Sequence, residues 1–129
     1  LIDIAGLKGV DTIDPDYMIT VSDLQQALQR QNLEIKEGDA ILIHTGWGKH
    51  RGRDNTLYGS SSPGIGEEAG QWLAQQHPLL IGADNCCVEF RTDQNRNLNV
   101  HAIMLIQHGI YLIENMELAA LADAGGGEF

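Results

Sequence analysis

Three short apolar runs constrain the architecture of this chain most: AILI at 40–43, LLIGA at 79–83 and IYLI at 110–113. None alternates polar with apolar residues, as a strand with one wet face does. AILI and LLIGA, bounded by polar or turn residues, have the pattern of a strand buried on both faces, and IYLI reads as a fourth strand. Helical spacing fills the intervals. Thr20, with Asp23 three residues on, predicts a capping-box start, and Val21, Leu24, Ala27 and Leu28 share one face of a helix ending near Asn32. Ile65, Ala69, Trp72 and Leu73 mark a second helix that closes at His77-Pro78. Residues 101–108 predict a short apolar helix and residues 117–122 a last one, before a frayed GGGEF tail. LIDI at 1–4 reads as a further strand, joined to the first helix by a Gly- and Asp-rich connection through Asp16. Strands and helices in this order predict an α/β (α+β) sandwich with a buried sheet, in a single domain spanning residues 1–129.

Charge narrows the range of partners. Eighteen acidic residues against eight basic ones give a net charge of −10. Nucleic acid and anionic membrane both require a Lys/Arg footprint, so neither is expected as a partner. No apolar run reaches the roughly 18 residues of a membrane span. The only two cysteines are adjacent, Cys86-Cys87, with no C-x-x-C spacing, and predict buried free thiols in a reducing cytosol. The polar, Gly- and Ser-rich stretch 48–64 predicts a long functional or mobile loop. The chain opens inside a strand-like run without Met, from which a fragment or a trimmed N-terminus is expected.

Chemistry-bearing residues collect at strand ends. His44 follows AILI, Asp84 follows LLIGA and Glu114 follows IYLI. In open α/β sheets ligands gather at the carboxyl ends of strands, where the loops diverge. Each residue also has a plain structural role open to it: a turn cap for Asp84, a helix cap for Glu114, a surface position for His44. His101 leads into an apolar helix, and His108 stands where a C-terminal dipole favours histidine. The chain carries no H-E-x-x-H, no phosphate loop, no G-x-S-x-G and no Rossmann glycine pattern.

Four blocks in sequence, GDAILIHTGW, SSPGIGEEAGQWLAQQ, PLLIGADNCCVE and VHAIMLIQHGIYLIEN, give the chain a resemblance over about residues 2–121. It resembles the cyclase-like family of metal-dependent hydrolases, which includes bacterial kynurenine formamidase, an arylformamidase of tryptophan catabolism, and isatin hydrolase. The resemblance implies a swivelling β/β/α fold, truncated here, assembled as a homodimer or larger oligomer. It implies hydrolysis of a small amide or lactam by a water activated on Zn²⁺ or Mn²⁺, because such an ion lowers the pKa of bound water towards neutrality. By carry-over His101 and Glu114 are the metal-facing and catalytic residues. Asp84 is placed in the same shell, and Thr45, Gly46 and Trp47 form the pocket wall.

One departure matters. The family motif H-x-G-T-H-x-D-x-P-x-H, which supplies most metal ligands, has no counterpart here, since HTGWGKH at 44–50 lacks the Asp-x-Pro. A catalytic metal takes about three protein ligands plus water. The chain is therefore expected to correspond to the C-terminal part of such an enzyme, with an incomplete site that by itself holds no ion. Two further readings stay open: a truncated, non-catalytic domain that oligomerises or binds small acids, and an unrelated α/β ligand-binding module.

Overall fold

The computed structural model describes all of residues 1–129. Four strands form an all-parallel sheet in the spatial order β1 (Ile2–Asp3), β3 (Ala40–His44), β5 (Leu80–Ala83), β6 (Tyr111–Ile113), and a second parallel pair joins β2 (Met18–Ile19) to β4 (Gly64–Ile65). The mixed α/β class read from the sequence is the class observed. Register follows the apolar runs: Ile2 lies beside Ile43 and Ile43 beside Ala83, while Ile41 lies beside Ile81 and Ile81 beside Leu112.

Spatial order never reverses along the main sheet, and this decides where the helices go. Successive right-handed crossovers running in one direction leave every connecting helix on the same face. Between β1 and β3 come α1 (Ile4–Lys8) and α2 (Val21–Gln31); between β3 and β5 come α3 (Asn55–Ser60) and α4 (Glu67–Ala74). The last crossover is α5 (Asn99–His101), which runs directly into a π-helical stretch, Ala102–His108. A core of 19 buried residues fills the helix-covered side and includes Ile43, Ile81 and Ala83 from the sheet and Leu24, Leu73 and Met104 from the helices. Strand side chains alternate between faces, so Leu42 and Leu80 point the other way. There they meet a small cluster of Leu1, Leu118, Met116 and Leu121, beside the short α6 (Ala119–Asp123). Cover on that face is partial: Tyr111 is 66% exposed and Ile113 41%.

Local chemistry explains the boundaries. The predicted capping box forms: Thr20 Oγ1 accepts from the Asp23 amide at 3.2 Å, and Asp23 Oδ2 accepts from the Thr20 amide at 2.9 Å. Asp23 is buried but paired with Lys8 at 2.5 Å, which offsets the cost of removing its charge from water. Asn32 then ends α2 in the left-handed conformation at φ 54°.

Several elements differ from the sequence reading. The first strand is two residues long because Asp3 caps a helix at once, its carboxylate accepting from the Gly6 amide at 2.9 Å. Ile65 lies in β4, paired with Ile19, rather than on the face of α4. The stretch 48–64 contains α3 and the last turns of a 3₁₀ segment, Trp47–His50, instead of open loop. The tail is tied down: the Leu1 amino group donates to the Gly127 carbonyl at 2.7 Å, and Lys36 pairs with Glu128 at 2.8 Å. Cys87 is buried, but Cys86 is only half-buried.

Candidate functional site

Two histidines sit among carboxylates at the C-terminal end of the sheet. Strand alternation assigns them to opposite faces: His44 follows Leu42, on the sparsely covered side, and Glu114 follows Leu112, on the helix side.

His101 occupies the junction of α5 with the π-helical stretch. A π-helix carries an extra residue per turn and is uncommon beyond single turns, where it frequently marks functional positions. Here it is followed by Gly109 at φ 66°, after which Ile110 turns into β6. That turn brings Glu114, thirteen residues on, back to the imidazole: His101 Nε2 lies 3.0 Å from Glu114 Oε1. The other ring nitrogen, Nδ1, lies 2.5 Å from Glu89 Oε2. The same Glu89 oxygen accepts the His101 backbone N–H at 3.0 Å. An oxygen that already accepts from an amide acts as an acceptor towards the ring too, so Nδ1–H donates to Glu89 and Nε2 is the nitrogen facing Glu114. Glu89 is 3% exposed, whereas the side chains of His101 and Glu114 keep 22% and 30%. The triad thus has a buried anchor and an accessible end.

His44 is differently placed. Its Nδ1 lies 2.8 Å from Asp3 Oδ1, and its Nε2 is 3.9 Å from Asp84 Oδ2, beyond hydrogen-bonding range. Asp84 is held by Thr45, whose amide and hydroxyl donate to Oδ1 at 2.9 and 2.6 Å. Burial by itself pushes the His44 pKa down, but the Asp3 hydrogen bond and the Asp84 and Asp3 charges outweigh it, and the net shift is upward. Asp3 moves down, chiefly through its bond to His44. These groups line a cavity of about 380 Å³ with Asp11, Glu117 and Asp123. Lys49 and His44 line it as well, so the wall carries both signs of charge with carboxylates in the majority.

Asp84, predicted to share a shell with His101 and Glu114, faces His44 instead. Glu114 falls on the helix side and Asp84, one strand over and in step with Gly82, on the other. Gly46 lines the same cavity at φ 74°, where a Cβ would lie 2.0 Å from the Asp11 carbonyl oxygen. Thr45 is fully buried and acts through Asp84. Trp47 is buried against Tyr58, its Nε1–H donating to the Tyr58 carbonyl at 3.3 Å, and does not line the cavity. Tyr58 ties the two strand ends together by hydrogen-bonding the Asp84 carbonyl at 3.2 Å and Asn115 Oδ1 at 3.0 Å. Burial pushes the Tyr58 pKa up to about 12, so its proton stays in place.

Two residues of these clusters were not singled out from the sequence. Asp3 obeys the same rule as its neighbours, a polar group at the carboxyl end of a strand, and could have been found by it. Glu89 could not. It follows Val88, a buried valine at φ 60°, and no periodicity signals so irregular a turn.

The Cyclase family model, described as "Putative cyclase", matches residues 1–90. The chain belongs to the Cyclase family. A crystal structure of "a novel cyclase" superposes with a TM-score of 0.84 at 29% identity, covering 95% of this chain and 40% of that one. Isatin hydrolase A from Ralstonia solanacearum gives 0.66 at 19% identity, over 90% of this chain and 45% of that one. An isatin hydrolase bound to the product analogue thioisatinate gives 0.67 at 20%, over 88% and 44%. This Cyclase-family chain therefore spans less than half the length of these solved structures. No curated protein matches it.

The Zn²⁺ or Mn²⁺ that the resemblance implies does not fit these residues by themselves. No group of three or more His, Cys, Asp or Glu side chains converges on one point. His101 is held by Glu89 through Nδ1 and faces Glu114 through Nε2, so these residues bring one imidazole and one accessible carboxylate, short of the three ligands a catalytic ion takes. His44 lies on the opposite face and cannot complete a set with it.

Proposed function

We propose that this chain carries the acid–base part of a Cyclase-family hydrolase acting on a small amide or lactam. The observation that supports this most is the Glu89–His101–Glu114 chain, buried at one end and open at the other. Glu89 fixes the tautomer and orientation of the ring. Nε2 and the Glu114 carboxylate share the accessible end, where one of them can take a proton from an attacking water and return it to the departing nitrogen. Hydrolysis then balances: water adds across the C–N bond, the carbonyl carbon gains the hydroxyl, and the amine nitrogen gains the proton. No step is assigned to a metal, because the ligand set here does not form one.

The decisive experiment incubates the purified protein with isatin and N-formylkynurenine, with Zn²⁺ and with Mn²⁺ in the medium, while metal content and native mass are measured on the same sample. Hydrolysis that disappears in His101→Gln supports the reading. Hydrolysis undiminished in that variant defeats it, and so does a well-folded assembly inert to both substrates.

A second reading is favoured by the incomplete ligand set: a non-catalytic domain whose business is association. Of its two forms, small-acid binding and self-association, the exposed apolar groups favour the second. Tyr111 and Ile113 on the edge strand β6 and Ile106, 82% exposed, are the apolar groups available for it. Under either reading we expect a homo-oligomer, and sedimentation showing only monomer across a wide concentration range would remove that part.

A further inference from the structure

The turn between Asp84 and Glu89 connects the two histidine clusters, and it contains both cysteines of the chain. It is an uncommon piece of backbone. Val88 takes a left-handed φ of 60° while buried, a conformation costly for a β-branched residue. Asn85 holds it there, accepting from the Val88 amide at 2.7 Å and donating to the Pro63 carbonyl at 2.6 Å. One result is that the side chains of Cys86 and Cys87, although adjacent in sequence, turn towards each other, with their sulfurs 3.6 Å apart. Cys86 is half-buried and reachable; Cys87 lies deeper, its thiol against the Glu89 carbonyl at 3.6 Å. Ser62 is fully buried beside the pair, and its hydroxyl has no well-aligned hydrogen-bond partner.

We infer that Cys86 and Cys87 form a two-thiolate chelating site for a soft, thiophilic centre of the trivalent-arsenic class. Three features carry this. The sulfurs are already gathered at a separation that one bridging atom can span. A direct disulfide would instead close an eight-membered ring through the shared peptide bond, a strained arrangement for neighbours. The buried Ser62 hydroxyl has no other partner and is free to donate to sulfur carrying negative charge. Electrostatics agree: the neighbouring Cys87 thiol donates to Cys86, and with Ser62 and the Arg91 charge it draws the Cys86 pKa down to about 6, while Cys87 holds its proton more tightly. Cys86 is thus the entering nucleophile and Cys87 the second ligand. Thiolate pairs select soft centres over the hard cations preferred by the carboxylates nearby.

The chemistry is a condensation without redox change. An organoarsenic(III) oxide meets two thiols; two As–S bonds form, the arsenic–oxygen bond breaks, and the oxygen leaves as water with both thiol protons. This proposal is independent of the hydrolase reading.

The test titrates the folded protein with phenylarsine oxide and follows intact mass, with excess 2-mercaptoethanol or 2,3-dimercaptopropanol as competitor. We expect one phenylarsenic group per chain with loss of one water, resistant to the monothiol and removed by the dithiol. In Cys86→Ser, whose side chain is half-exposed and whose fold is checked by circular dichroism, retention against monothiol should fall about 10²–10⁴-fold, the usual advantage of a second tethered ligand. Wild-type adduct as easily stripped by monothiol as that of Cys86→Ser overturns the site, as does adduct that forms only after denaturation.

Discussion

His44 and His101 are both flanked by two carboxylates, yet the sheet between them gives them different chemistry. His44 sits on the thinly covered face with one short bond, to Asp3, and one longer approach, to Asp84. Its partners belong to the frame: Asp3 caps α1 and Asp84 is pinned by Thr45. His101 sits on the helix face with both ring nitrogens engaged, and only Glu89 among its partners is buried. A histidine–carboxylate contact is therefore not by itself a site. What separates an ion pair that holds elements together from a relay is whether the chain of contacts ends in solvent or closes on backbone.

Removing the ring at the open end should hurt activity most. On a hydrolysable amide, His101→Gln should lower kcat/KM by about 10²–10⁴-fold, the usual worth of a positioned general acid or base. Its stability should fall too, because the buried Glu89 loses its charged ring partner, so folding is checked by circular dichroism on the same sample. Glu89→Gln keeps the hydrogen-bonding shape but removes the charge, and should fall between the variant and the wild type. Were Glu89→Gln to unfold the protein while His101→Gln left activity intact, the His101 cluster would be structural and the contrast with His44 would fail.

The mirror-image expectation concerns Asp3→Ala, which should act on stability. Loss of an N-cap costs about 1 kcal/mol, and leaving the His44 ring without its charged partner costs roughly a further 1–3 kcal/mol. Denaturant unfolding should show a lowered midpoint at unchanged slope. Asp3→Asn separates the parts, because Asn is itself a good cap: about 1 kcal/mol should return, with the His44 interaction still weakened.

How far the sequence reveals this arrangement differs from region to region. The runs AILI and LLIGA declare buried parallel strands because burial on both faces demands apolar side chains on both. Thr20 and Asp23 declare the start of α2 because a cap is a local contact between near neighbours. The pairing of His101 with Glu114 is suggested by a resemblance and not by any periodicity, since a π-helical stretch obeys no 3.6-residue pattern. Asp84 shows the limit most clearly. Its position at a strand end is plain, but the face it joins depends on a one-residue phase between neighbouring strands, which only the register sets. Glu89 is hidden for a related reason: it is aimed by Val88 in a conformation that no β-branched residue adopts by preference.

The smallest effect is the most specific to the comparison. His44 should titrate by NMR above the ordinary value of 6.5, because the carboxylates beside it outweigh its burial. Asp3→Asn should bring its midpoint down, and Asp84→Asn should lower it less, since Asp84 lies 3.9 Å away against 2.8 Å for Asp3. A raised histidine pKa contributes stability that is fully present below 6.5 and is lost as pH rises through the folded value; a lowered aspartate pKa contributes stability present above 3.8 and lost as pH falls through its folded value. The pair is therefore at full strength between about 3.8 and 6.5, and the wild type should lose its advantage over Asp3→Asn on either side of that window. A gap between the two proteins that stays constant as pH rises well past the His44 midpoint would mean that Asp3 acts only as a cap. In that case the contrast between the two histidines would rest on His101 alone.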